Sequence, residues 1–171
     1  MAEHSKAMAE SIAIDIDGDE EKFARLMDVY LSDEDSLLIQ RAAWPVRKVF
    51  DRKPHLLLPY LPRLIEMLDE DHHMAVRRNN LSILAAIDLP EPFWDSLYGT
   101  CFQILENPQV PVANRVHAMQ VLANIVQNIP DLIPELRLVI ESHLNMGSPG
   151  FKSRAKKILA HMDRLNLGPR P

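Results

Sequence analysis

Asp71-His72-His73-Met74-Ala75-Val76-Arg77 is the stretch on which the reading of the fold turns. An acid stands six places before an arginine, a β-branched residue precedes that arginine, and an apolar helical pattern follows. The spacing returns, whole or eroded, at Asp35–Arg41, Gln109–Arg115 and Ser148–Arg154, so that successive arginines lie 36, 38 and 39 residues apart. A near-constant interval of this size in a helical chain predicts stacked repeats, each burying its apolar face against its neighbours.

An amphipathic segment lies on either side of each of these stretches. Phe23, Leu26, Met27, Tyr30 and Leu31 recur three and four apart, the spacing of one helix face. The partner segment carries Leu37, Leu38, Ala42, Val46, Val49 and Phe50; Pro45 within it predicts a kink or a split, because proline lacks the N–H and clashes with the preceding turn. Leu57, Leu61, Leu64 and Leu68 precede Asp71, with Pro59 and Pro62 predicting a separate or bent first turn, and Val76, Leu81, Leu84 and Ile87 follow it. The later units repeat the scheme, with Leu97, Cys101 and Ile104 before Val116, Met119 and Leu122, and Leu136, Val139 and Ile140 before Phe151, Ala155 and Ile158. No stretch alternates as a strand would. The expectation is all-α: four antiparallel helix pairs forming one repeat domain over residues 18–167, with units at about 18–53, 54–89, 90–128 and 129–167. Residues 1–17 read as a tail, flexible or partly ordered, with a short ordered segment near Ile12–Ile16. The first helix of each pair is termed A and the second B.

Over residues 19–165 the chain resembles the HEAT repeats, with armadillo repeats as near relatives. The resemblance rests on the early prolines of the A helices, the Asp–x4–Val–Arg stretch at the A/B turn and the alanine- and leucine-rich B helices. It implies a right-handed α-solenoid whose A helices form the convex face and whose B helices line the concave one. It also implies a structural ladder of hydrogen bonds between successive turns, assigned here to Asp71 and Arg77 and to Asp35 and Arg41. An acid at a helix N-terminus can accept from orphan N–H groups, and an arginine fork can bridge to the neighbouring unit.

Composition narrows the function classes. The longest apolar runs, such as Leu56-Leu57-Leu58, are soon broken by proline or charge, far short of the roughly 20 residues of a membrane span. Met1 to Glu10 lacks the apolar core of a secretory signal, and Cys101 is the only cysteine, which fits a reducing compartment; the expected location is cytoplasmic. Seven histidines include no His-x-x-x-His pair, so no metal site is expected. Cys101 sits on an apolar face with no cationic neighbour in sequence, which suits a structural thiol better than a nucleophile. No glycine-rich phosphate loop is present. No catalytic residue and no cofactor are expected.

Charge carries the remaining signal. The A segments 19–31, 55–69, 91–106 and 131–145 hold four Lys/Arg against twelve Asp/Glu. The B segments 36–53, 74–87, 112–128 and 150–164 hold thirteen against two. Ladder arginines and the helix-terminal Lys48, Arg52 and Lys53, which complement the macrodipole, account for part of that excess. Arg47, Arg78, Lys152, Lys156, Lys157 and Arg164 remain, and the first five are the candidate contacts on a basic concave face. With helices about 8–10 Å apart, four repeats make a groove roughly 30–40 Å long. The sequence therefore points to a non-catalytic interaction or scaffold module that binds an acidic segment of another protein. The alternative is a nucleic-acid-binding protein resembling, in fold, the alkylpurine DNA glycosylases built from HEAT-like repeats. Trp44 on a B helix and Trp94 on an A helix are its candidate aromatic residues.

Overall fold

The computed structural model describes residues 6–32 and 36–167, with side chains as far as residue 165. All regular structure among the described residues is helical: α1 (Lys6–Ile16), α2 (Glu20–Tyr30), α3 (Ser36–Arg52), α4 (Leu61–Glu66), α5 (Met74–Leu84), α6 (Trp94–Glu106), α7 (Val112–Val126), α8 (Ile133–Leu144) and α9 (Pro149–Leu167), with short 3-10 segments between them. The chain comprises two compact units, Met1–Ile83 and Leu84–Pro171.

Proline sets how the A helices begin. Pro54–Tyr60, Glu91–Phe93 and Pro130–Leu132 are 3-10 turns that lead into α4, α6 and α8, each with proline at its first or second position. There the missing N–H has no intrahelical partner to lose. Pro45 does not split its helix. α3 runs unbroken through it, and Pro45 is buried, as are Ala42, Val46 and Val49 of the same helix. Packing of that face holds a turn that lacks one backbone bond.

In the first unit α3 packs on both α2 and α1. The stretch read as a tail thus contains an 11-residue helix whose Ala9, Ala13 and Ile16 are buried. These residues are spaced four and three apart, and two are alanines, so the backbones approach closely with little apolar bulk to announce it. Acidic groups of this segment meet basic ones at α3 and just beyond its end: Glu10 pairs with Lys48 at 3.2 Å, and Asp17 lies 3.5 Å from Arg52 and 4.0 Å from Lys53. The turn into α2 passes through Asp17 (φ 31°) and Gly18 (φ 96°), left-handed positions suited to aspartate and glycine. Asp19 then caps α2 by accepting from the Lys22 N–H at 3.0 Å.

A polar pin crosses the core of this unit. The buried Tyr30 hydroxyl donates to Asn80 Oδ1, and Asn80 Nδ2 donates to the Leu64 carbonyl at 3.2 Å. One phenol and one amide therefore tie α2, α4 and α5 together. In the second unit α6 packs on α7, α7 on α9 and α8 on α9, around Leu97, Met119, Leu122, Leu136, Phe151 and Ile158.

Candidate interaction surfaces

On α3, Gln40, Ala43, Trp44 and Arg47 fall at helical spacing on one face; on α5 the same holds for Ala75, Arg78, Asn79 and Ser82. Gln40, Ala43, Trp44, Ala75, Arg78 and Asn79 line a depression of about 280 Å³. Trp44 keeps 37 % of its surface exposed, and Arg78 is exposed. Arg47, one turn further along α3, has a different role. Its Nη1 donates to the Ser82 carbonyl at 2.6 Å and hydroxyl at 3.0 Å, its Nε and Nη2 reach Asp51 at 3.0 and 2.8 Å, and its guanidinium lies 5.1 Å from the Phe50 ring centroid. Arg47 thus bridges α3 to α5, and Arg78 is the arginine presented outward.

The lysines proposed from sequence lie in the second unit, on α9, and they split between two flanks. Lys152, Lys156 and Asp163 fall on one stripe, and the carboxylate of Asp163 is bound by Arg137 of α8. Arg154 and Lys157 fall on another stripe, which faces α7, because Arg154 Nη1 donates to Gln120 Oε1 at 2.8 Å. Lys156 and Lys157 are exposed, and Lys152 is half-buried. Lys48, Arg52 and Lys53, assigned by sequence to the macrodipole, are the partners of Glu10 and Asp17.

The ladder positions serve several purposes. Arg77 Nη2 donates to the backbone carbonyl of Glu70 at 3.3 Å, closing the A/B turn, while Asp71 is exposed. The Glu70 side chain takes both ends of the Arg63 fork and hydrogen-bonds His72 at 2.7 Å. The Arg63 bond, more than any other influence, holds the Glu70 carboxyl below its usual range. Arg115 closes the next turn in the same way, with Nε donating to the Leu105 carbonyl at 2.9 Å. It is only 8 % exposed and lies 5.0 Å from the Phe151 ring centroid. Burial lowers the pKa of this guanidinium, and burial together with the nearby Arg115 charge lowers that of His143 against the opposing pull of Glu106. Arg41 is exposed, and Asp35 lies outside the described residues.

Sequence reasoning missed a run of neutral side chains. Arg154 donates to Gln120, Gln120 Nε2 donates to Asn124 Oδ1 at 2.8 Å, and Asn124 Nδ2 donates to the Ala85 carbonyl at 3.1 Å. Arginine can only donate and a carbonyl can only accept, so the direction of every bond in the chain is determined. The signal available in the sequence was two amide residues four apart on a B helix, too common a pattern to single out.

Among the described residues no group of three His, Cys, Asp or Glu is placed to hold a metal ion. Cys101 is buried on α6. Trp94 is half-buried, its indole N–H donating to the Leu89 carbonyl at 2.7 Å. No described helix is long and apolar enough to cross a membrane. The family profile of the HEAT repeat domain matches residues 1–162. Neither the curated proteins nor the solved structures contain a match to this chain.

Proposed function

The chain belongs to the HEAT repeat family, and on that premise we propose that it is a non-catalytic, cytoplasmic protein-interaction scaffold that binds an acidic partner segment through its B helices. The observation that carries this reading is the depression between α3 and α5, where the exposed Arg78 stands beside Trp44, Gln40 and Asn79. A guanidinium supplies a directed fork for a carboxylate, the amides supply donors and acceptors for a peptide backbone, and the indole covers an apolar side chain. Lys152, Lys156 and Lys157 offer further positive charge on α9.

Affinity capture from native lysate, with and without nuclease, tests the proposal. Nuclease-resistant protein partners are expected, and they are lost when Arg78, Lys152, Lys156 and Lys157 are changed to glutamate while the circular dichroism spectrum stays native. Undiminished capture by that variant overturns the surface.

A second reading, nucleic-acid binding, draws on one observation: an exposed indole next to an exposed arginine can stack a base while the cation meets a phosphate. It requires a log–log salt slope of about −0.9 for each phosphate neutralised on a duplex. A mobility-shift titration at low salt without a complex on single or double strands removes it.

A further inference from the structure

The second unit holds a different kind of pocket, of about 270 Å³, lined by Ile87, Asp88, Leu89, Trp94, Asn124, Ile125, Gln127 and Asn128. Six of these decide its chemistry. Trp94 lines it, but its one donor is already engaged by the Leu89 carbonyl. Asn124 Nδ2 goes to the Ala85 carbonyl, Gln127 Nε2 to the Ala123 carbonyl at 3.3 Å, and Asn128 Nδ2 to the Asn124 carbonyl at 3.4 Å. Each of these partners is a carbonyl oxygen, which only accepts, so in each amide the nitrogen is the atom bound to it and the oxygen is the remaining acceptor. Asn124 Oδ1 already receives Gln120. Gln127 Oε1, Asn128 Oδ1 and the exposed carboxylate of Asp88 receive no donor among the described residues.

The backbone adds to the same sign. Val126 is the last residue of α7, so Gln127 and Asn128 sit where the unsatisfied carbonyls of that helix give the negative end of its dipole. A carboxylate, two amide oxygens that receive no donor among the described residues, a helix C-terminus and an aromatic ring therefore line one pocket, and no Lys or Arg is among its lining residues. Such a set repels anions and selects a cation that carries several N–H groups and a flat face.

We propose that this pocket receives an arginine side chain of a partner protein, its guanidinium stacked on Trp94 and hydrogen-bonded to Asp88 and the amide oxygens. Arginine fits better than lysine because its planar fork presents five donors and stacks on an aromatic ring, whereas an ammonium offers three donors and is more strongly hydrated. The site is independent of the Arg78 depression in the first unit: one surface takes carboxylates and the other takes a cation. A partner with both an acidic and an arginine-bearing segment would engage the two surfaces through separate chemistries.

A pair of peptides tests this directly. The full chain, uniformly 15N-labelled, is titrated with acetyl-Gly-Arg-Gly-amide and with the same peptide carrying citrulline, which keeps the shape and loses the charge. The arginine peptide is expected to shift the Trp94 indole N–H resonance saturably, and the citrulline peptide is expected to bind at least tenfold more weakly. Asp88→Asn, an exposed near-isosteric change, should weaken the arginine peptide about fivefold or more, and Asp88→Lys should abolish the shift. Equal binding of the two peptides, or an unchanged affinity in Asp88→Asn, overturns the proposal. Spermidine is the third arm. If it saturates the pocket at lower concentration than the peptide, the ligand is a free polyamine and the assignment to a partner's arginine fails. Loss of this site would leave capture through Arg78 intact, so the two readings fail separately.

Discussion

Arg154 of α9 donates a hydrogen bond to Gln120 of α7 at 2.8 Å, and that single contact orients an amide chain running on through Asn124 to the carbonyl of Ala85. The sequence expectation placed inter-repeat bonding in acid–arginine pairs. In the second unit a cation at one end and a backbone carbonyl at the other hold two neutral side chains in line between them.

Removing the cation should therefore act beyond its own contact. Arg154→Ala is expected to cost about 1.5–3 kcal/mol, the usual worth of a hydrogen bond to a charged group. With Gln120→Ala it should form a double-mutant cycle with a coupling of about 0.5–3 kcal/mol. Urea unfolding of the four proteins measures this, and strict additivity would mean that the chain carries no shared energy.

Tyr30→Phe leaves Asn80 Oδ1 buried without its donor. The expected loss is about 1–3 kcal/mol, the penalty of an unsatisfied buried polar atom. Replacing both residues together, Tyr30→Phe with Asn80→Leu, should recover part of it. Thermal melts that rank the double variant below the single one contradict this account.

Arg47 and Arg78 should separate by phenotype although both are B-helix arginines. Arg47→Glu breaks bonds to Ser82 and places a second acid beside Asp51, so it should lower the melting temperature. Arg78→Glu, at an exposed position, should change partner capture and leave the melting temperature within a degree or two. Calorimetry of the two variants checks the contrast.

Acid should weaken the fold in two windows. The pKa of His143 is lower in the folded chain than its ordinary 6.5, chiefly through burial and the nearby Arg115, so the unfolded chain binds the proton more readily. Its contribution is complete above 6.5 and declines as pH falls from there towards the folded value. Glu70 is lowered from 4.5, chiefly by the Arg63 bond, and its contribution is present above that value and lost as pH falls through the folded one. Denaturant midpoints across pH 3–8 should show both declines, with His143→Asn flattening the upper one and Glu70→Gln the lower.

Close packing of α1 gives a further test. Ala13→Leu inserts bulk into a face that is 1 % exposed and should cost about 1–3 kcal/mol by overpacking. A neutral result would mean that α1 can lift from α3 without loss.

Much of the fold was legible in the sequence, because helical periodicity, proline placement and the returning arginine are local properties of the chain. Phe23, Met27, Leu64, Leu97 and Leu136 fall where the three-and-four spacing put them, all buried. α1 was harder to read, since alanines at close contact carry little apolar signal, and its burial depends on α3. The sequence by itself determined an all-α HEAT repeat chain, the positions of the A and B segments and the excess of cations in B. The tertiary structure alone decided what each charge is for. Arg47, Arg154, Lys48, Arg52 and Lys53 are paired within the protein, Arg78 is presented outward, and Gln127 and Asn128 line one pocket with Asp88 and Trp94. A side chain's sign is written in one residue. Its role depends on groups tens of positions away, because electrostatic and hydrogen-bond energies follow distance and direction in space.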